Sequence, residues 1–150
     1  MIVTKKIFIL SKIYFLIFII FFLFIYNNSN AQLRRTIDSL QAIEQSCLDS
    51  GIGMANCSGE FSHQMDSILH IVYKNIQTNL GTSQKTALKK EELLWLKKRE
   101  INDRNGRKSA ENEFAHSSII MIACHDDAGF VIDRIFSIIK KWDFKKVYSN

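Results

Sequence analysis

The segment from about residue 58 to residue 80 constrains the fold most strongly. Its apolar side chains are Phe61, Met65, Ile68, Leu69, Val72, Ile76 and Leu80. They recur every three or four residues, which places them on one face of an α-helix, whereas a strand would alternate at every second residue. Gly81 follows directly, and glycine commonly ends a helix. The segment therefore predicts an amphipathic helix that buries one face against other helices.

Three other segments show the same spacing, and the chain contains no proline. They run from Thr36 to Cys47, from about residue 83 to residue 102, and from about residue 109 to Trp142. Between the last two, the sequence NDRNGRK predicts a turn, and Gly129 predicts a weak point or kink in the final helix. Helices of this length with short connections pack as antiparallel neighbours. The expected fold class is all-α: a small antiparallel bundle of about four helices.

The first 31 residues have the order of a secretory signal. Three lysines within the first twelve residues precede an uninterrupted apolar run at 13–26, and small residues follow up to Ala31. The run is shorter than the roughly 20 residues that a membrane-spanning helix needs. We therefore expect a signal peptide over 1–31, cleavage after Ala31, and a periplasmic or secreted domain over 32–150. Retention of the signal as a membrane anchor is the alternative.

Removal of the signal changes the charge of the protein. Residues 32–150 carry 17 basic and 15 acidic side chains, a net charge of +2. Basic residues such as those in KKEELLWLKKRE are interleaved with acidic ones rather than gathered in a stripe. A nucleic-acid-binding domain shows a concentrated basic patch. The charge pattern therefore argues against a nucleic-acid partner.

Cys47 and Cys57 flank a turn that contains two glycines. In an oxidising compartment such a pair is expected to be bonded, and a loop of this length adds about 3 kcal/mol of stability when it is closed. A redox motif usually has two residues between its cysteines, and a zinc site needs further ligands at suitable spacing. We therefore predict a disulfide, no metal and no cofactor. The histidines are expected at the surface or at helix caps: His63, His70, His116 and His125.

The carboxylates do not suggest an enzyme. Glu91–Glu92 and Asp126–Asp127 are adjacent pairs, and neighbours on a helix point about 100° apart. Glycoside hydrolysis needs two carboxylates that face each other across a cleft. Neither a nucleophile elbow nor a phosphate-binding loop is present in the sequence. We therefore expect no enzymatic activity.

A series of residues along the predicted helices falls in a recognisable order. Two cysteines with a methionine between them come first, then Asp, Leu and Tyr on one helix, Leu, Trp and Arg on the next, and a late Cys and Arg. In this chain the series is Cys47, Met54, Cys57, Asp66, Leu69, Tyr73, Leu88, Trp95, Arg99, Cys124 and Arg134. The order resembles that of the LprI-like lysozyme inhibitor domain, a small exported bacterial domain. The resemblance covers about residues 44–139.

This resemblance implies an exported, non-enzymatic protein that binds lysozyme and blocks the access of glycan to its cleft. Common lysozymes are cationic, so an acidic patch on the domain would attract them. The candidate patch is Glu91, Glu92, Glu111, Glu113, Asp126 and Asp127. The alternative is a periplasmic or surface module, structural or interacting, with a different protein partner.

Most of the matched positions have a structural interpretation. Trp95 and Arg99 lie four residues apart and share a helix face. A buried Trp95 with Arg99 stacked over it, and Asp66 accepting hydrogen bonds from that arginine, would hold two helices together. Exposed Trp and Tyr side chains would instead indicate direct contact with a ligand.

The chain departs from the family pattern at three positions after the tryptophan helix begins. The family often has glutamine where Glu92 stands, and Arg-Asp where this chain has Arg99-Glu100. It also commonly has a cysteine shortly after that arginine, where this chain offers Asp103 or a neighbour. The resemblance therefore implies that Cys124 has no partner within the chain and is a buried free thiol.

Overall fold

The computed structural model describes residues 31–110 and 116–142, and it divides the chain into two compact units, 1–40 and 41–150. Helix α1 spans 31–49, and its residues 31–40 are the described part of the first unit. Within the described ranges the second unit adds α2 (Met54–Thr78), α3 (Thr82–Ala110) and α4 (His116–Trp142). The predicted all-α bundle is confirmed. Across these ranges, no helix is both long enough and apolar enough to cross a membrane.

The core of the second unit forms around α4. This helix packs along α2 and, over a shorter stretch, against α3. The side chains with no exposed surface include Met65 from α2, Leu88 from α3, and Val131, Ile135 and Ile138 from α4. Close packing of these side chains buries most of the apolar stripe that the sequence predicted for the segment 58–80; Ile68 and Val72 are only half-buried.

Two predicted helix ends were wrong. α2 begins at Met54 rather than near residue 58. α3 continues through NDRNGRK, where a turn was predicted. The reason is a pair of ion pairs between residues four apart: Arg104 binds Glu100 at 2.8 Å, and Arg107 binds Asp103 at 2.9 Å. Such pairs contribute about 0.2–0.5 kcal/mol each to a helix, and here they offset part of the cost of about 1 kcal/mol for the glycine at position 106.

The end of α3 and the start of α4 differ from the prediction as well. The final helix is described from His116 rather than from residue 109, and residues 111–115 are outside the described ranges. Gly129 lies within the continuous helix α4. A glycine costs about 1 kcal/mol in a helix relative to alanine, and the buried residues around it on α4 offset that cost.

The connection between α1 and α2 is closed by the predicted disulfide. Cys47 near the end of α1 bonds to Cys57 in the first turn of α2, with their Cα atoms 5.9 Å apart. The glycines at 51 and 53 have φ values of +70° and +64°, a left-handed conformation that other residues adopt only with strain. The disulfide loop, residues 47–57, therefore reverses the chain within four non-helical residues, 50–53.

The predicted signal peptide lies outside the described residues, except for Ala31 at the start of α1. Cleavage after Ala31 stays a prediction.

Candidate functional site

Arg99 on α3 joins the three main helices of the second unit. Its Nε donates to Asp127 Oδ1 on α4 at 2.7 Å. Its Nη1 and Nη2 donate to the two carboxylate oxygens of Asp66 on α2, at 2.7 and 2.9 Å. Each carboxylate therefore receives two hydrogen bonds from one planar guanidinium, since Nη2 also reaches Asp127. The hydrogen bonds to Asp127 are the main reason that the pKa of Arg99 is raised above its ordinary value.

Trp95 lies one turn before Arg99 and is only 9% exposed. Its ring stacks on Phe130 of α4 with the centroids 5.6 Å apart and the planes at 14°. The guanidinium carbons of Arg99 and Arg134 lie 5.5 and 5.7 Å from the indole centroid. The indole thus packs against one aromatic ring and two cations, a combination that stabilises α3 against α4.

Arg134 on α4 forms a second set of ion pairs with α3. Its side chain is 6% exposed, and it binds Glu91 and Glu92 at 2.8 Å each. Lys141 binds the other oxygen of Glu91 at 2.6 Å. Burial alone would raise the pKa of Glu91, but the hydrogen bonds from Lys141 and Arg134 outweigh it and hold that pKa below its ordinary value.

Tyr73 of α2 lies close to this second set of charges. Burial, reinforced by the negative charge of Glu92, raises the pKa of Tyr73, and Arg134 opposes that rise. The phenol is therefore neutral under physiological conditions. It does not supply a base.

The structure brings together some of the residues that the family resemblance singled out, whereas Cys47 and Cys57 lie at the disulfide loop and Cys124 lines a separate cavity. Arg99 contacts both Asp66 and Trp95, as the sequence predicted. Leu69, Tyr73 and Leu88 lie on α2 and α3, with Leu69 and Leu88 in the core. We name the set that joins the helices the Arg99 cluster: Asp66, Glu92, Trp95, Arg99, Asp127, Phe130 and Arg134.

Sequence reasoning missed Asp127 as a partner of Arg99. A signal for it exists in the sequence. Glu92 and Arg99 are seven residues apart on α3, and Asp127 and Arg134 are seven apart on α4, so each pair lies two turns apart on one helix face. In antiparallel helices these opposite charges meet crosswise, and the structure shows Glu92 on Arg134 and Arg99 on Asp127.

The six residues of the candidate acidic patch have different surroundings. Glu91, Glu92 and Asp127 form ion pairs within the domain. Asp126 is exposed. Glu111 and Glu113 lie outside the described residues. Half of the proposed negative charge is therefore compensated by arginine and lysine of the same domain.

A groove lies between α2 and α3, with a cavity of about 350 Å³. Leu69 and Tyr73 line it from α2, and Leu93, Trp95 and Leu96 line it from α3. Leu93 and Leu96 are about half exposed. We name this surface the α2–α3 groove. The exposed leucines line the same groove as Asp66, Trp95 and Arg99 of the Arg99 cluster.

Glu44 lies on the part of α1 that belongs to the second unit, and it is a buried carboxylate with two partners, one on α2 and one on α4. Ser58 Oγ donates to it at 2.9 Å, and His125 Nδ1 lies 3.1 Å from the same oxygen. His63, His70 and His125 are exposed, as predicted, and the His116 side chain is outside the description. Among the described residues, no group of His, Cys, Asp and Glu could hold a metal ion.

Cys124 is a free thiol on α4 and is partly buried, rather than fully buried as predicted. It lines a cavity that also contains Asp103 and Arg107 of α3. Asp103 and Cys124 therefore face the same cavity between α3 and α4. Burial raises the pKa of the Cys124 thiol, which Arg107 partly opposes, so the thiol is protonated and weakly nucleophilic at neutral pH.

The chain matches no protein-family model, no curated protein and no solved structure.

Proposed function

We propose that the protein is an exported, non-enzymatic binding protein that inhibits lysozyme by covering its glycan cleft. The observation that carries this proposal is that the charged and the apolar side chains around the Arg99 cluster differ in what they contact. The charged side chains of the cluster bind one another, whereas large apolar side chains are exposed beside them and at the disulfide loop. Exposed apolar side chains on a frame of crosslinked helices are suited to binding another protein.

The cluster supports a structural role for its carboxylates. Asp66 and Asp127 face the guanidinium of Arg99, and Glu92 faces that of Arg134. A general acid and base would instead need to face a substrate across a cleft. The proposal therefore assigns these residues to holding α2, α3 and α4 in place.

Export is supported by the basic, apolar and small-residue order of residues 1–31, and the disulfide between Cys47 and Cys57 would persist in the oxidising compartment that export reaches. Sequencing the N-terminus of the exported protein tests this part of the proposal. A mature chain that begins at Gln32 is the expected result. A chain that retains residues 1–31 would instead favour the membrane-anchored alternative.

The inhibitory activity is tested with a lysis assay. Purified protein should slow the lysis of bacterial cell walls by lysozyme, and the rate should fall as the protein concentration rises. Lysozymes of several structural types should be compared, because the family resemblance does not choose among them. No slowing at micromolar excess with any of them would refute the proposal.

The second candidate function is an extracytoplasmic module that binds a different protein. The half-exposed leucines of the α2–α3 groove favour it, since exposed apolar side chains that line a groove are typical of an interaction surface. Under this alternative, Leu93→Asp with Leu96→Asp should abolish binding to the partner, and lysis by lysozyme should proceed unchanged.

A further inference from the structure

We propose that the tip of the disulfide loop, residues 50–53, is the element that enters the glycan cleft of lysozyme, with Ile52 as its anchor. This inference rests on the proposed function and adds the surface that performs it.

Ile52 is presented to solvent in an unusual way for a large apolar residue. It is 80% exposed, more than any other large apolar side chain of the described residues. Its neighbours Gly51 and Gly53 have no side chains, so nothing beside it covers its sides. Met54, the next large residue, is also exposed. The tip is therefore a narrow projection that ends in an apolar group.

The tip is also held in one conformation. The Ser50 hydroxyl donates to Cys47 O at 2.7 Å and accepts from the Ile52 amide at 3.3 Å. The Gly51 amide donates to Leu48 O at 2.9 Å. With the disulfide closing the base of the loop, little conformational entropy is lost when the tip binds, which favours affinity.

The tip of the disulfide loop is better suited than the α2–α3 groove to enter a glycan cleft, both in shape and in charge. A glycoside hydrolase cleft is concave and flanked by two carboxylates. A projection can fill it, but a second concave surface cannot. From residue 50 to residue 59 the chain has no charged side chain, so insertion would bury no unpaired charge beside those carboxylates. Asn56 is exposed on the same segment and offers amide donors to them.

The test compares Ile52→Asp with Ile71→Asp in the exported protein. Ile71 is an exposed isoleucine of α2 away from the loop, 57% exposed, so its variant controls for a new surface charge. Ile52→Asp should weaken inhibition of lysis about tenfold or more, as for the loss of an interface anchor, and Ile71→Asp should leave it unchanged. Both variants should keep the circular dichroism spectrum and the disulfide of the wild type.

Competition provides a second measurement that does not depend on a variant. Chitotriose occupies the cleft of lysozyme, so it should raise the protein concentration needed for half-maximal binding to lysozyme. Binding that is unaffected by chitotriose would overturn the inference.

The outcomes separate the inference from the function on which it rests. Wild-type protein that inhibits no lysozyme overturns both. Inhibition that survives Ile52→Asp but is lost with Leu93→Asp and Leu96→Asp overturns the inference alone, and it assigns inhibition to the α2–α3 groove.

Discussion

Replacement of Arg99 by alanine should destabilise the second unit by about 3 kcal/mol. The Arg99 side chain is 20% exposed, and its partners Asp127 and Asp66 are 18% and 44% exposed. Breaking a buried ion pair costs about 3–5 kcal/mol, whereas an exposed pair contributes about 0.2–1 kcal/mol. The pair with Asp127 is only partly buried and falls between these two ranges, at about 2 kcal/mol, whereas the pair with Asp66 falls within the range of exposed pairs, at about 0.5 kcal/mol. Loss of the contact with Trp95 adds about 0.5–1 kcal/mol.

The two carboxylates should therefore differ in the same experiment. Asp127→Asn leaves part of the Arg99 charge unpaired in the less exposed pair and should cost about 2 kcal/mol, while Asp66→Asn should cost less than about 1 kcal/mol. Arg99→Lys keeps the charge but cannot donate in two planar pairs, so we expect a loss of about 1–2 kcal/mol.

Urea unfolding, followed by far-ultraviolet circular dichroism with the disulfide intact, measures these free energies. A double-mutant cycle should give a larger coupling between Arg99 and Asp127 than between Arg99 and Asp66. If Arg99→Ala lies within about 0.5 kcal/mol of the wild type, the usual range for surface substitutions, Arg99 does not hold the helices together. If the coupling energy between Arg99 and Asp66 is the larger one, the less exposed pair with Asp127 is not the stronger of the two.

Three further predictions concern the charges, the thiol and the core. The pKa of Glu91 is lowered in the fold, so its contribution to stability is present above the unfolded pKa of about 4.3 and is lost as the pH falls through the folded value. The stability difference between wild type and Glu91→Gln should thus shrink from pH 7 to pH 3, and a constant difference would contradict this. Native Cys124 should react slowly with iodoacetamide, and unfolded unreduced protein should take up one equivalent; three equivalents, or a covalent dimer, would be the contrary result. Leu88→Ala should cost about 3 kcal/mol because Leu88 is fully buried, whereas its control Leu94→Ala, 54% exposed, should stay within about 0.5 kcal/mol.

The helices and the disulfide could be predicted because they depend on local information. The spacing of Phe61, Met65 and Leu69 specifies which face of α2 is buried. The N-terminal sequence predicts export to an oxidising compartment, and two cysteines on either side of a turn are expected to form a disulfide there. The continuation of α3 past Gly106 does not follow from the apolar spacing, because the residues that support the helix there are the charged pairs of Arg104 and Arg107.

The exposed tip of the disulfide loop could not be predicted from apolar spacing. Ile52 is a large aliphatic residue, and such residues are most often buried. Its exposure follows from the left-handed backbone at Gly51 and Gly53, which directs the chain around the turn. That conformation depends on where α1 and α2 place the two cysteines, and the sequence does not give this placement.

The crosswise pairing of α3 and α4 explains why the Arg99 cluster specifies one alignment of these helices. Glu92 and Arg99 on α3 have the same spacing as Asp127 and Arg134 on α4. In the antiparallel alignment each arginine meets a carboxylate, whereas parallel helices in register would place arginine beside arginine. A shift of one turn along the axis would also separate Trp95 from Phe130. Because unpaired partly buried charges are costly, these side chains select one antiparallel alignment of α3 against α4.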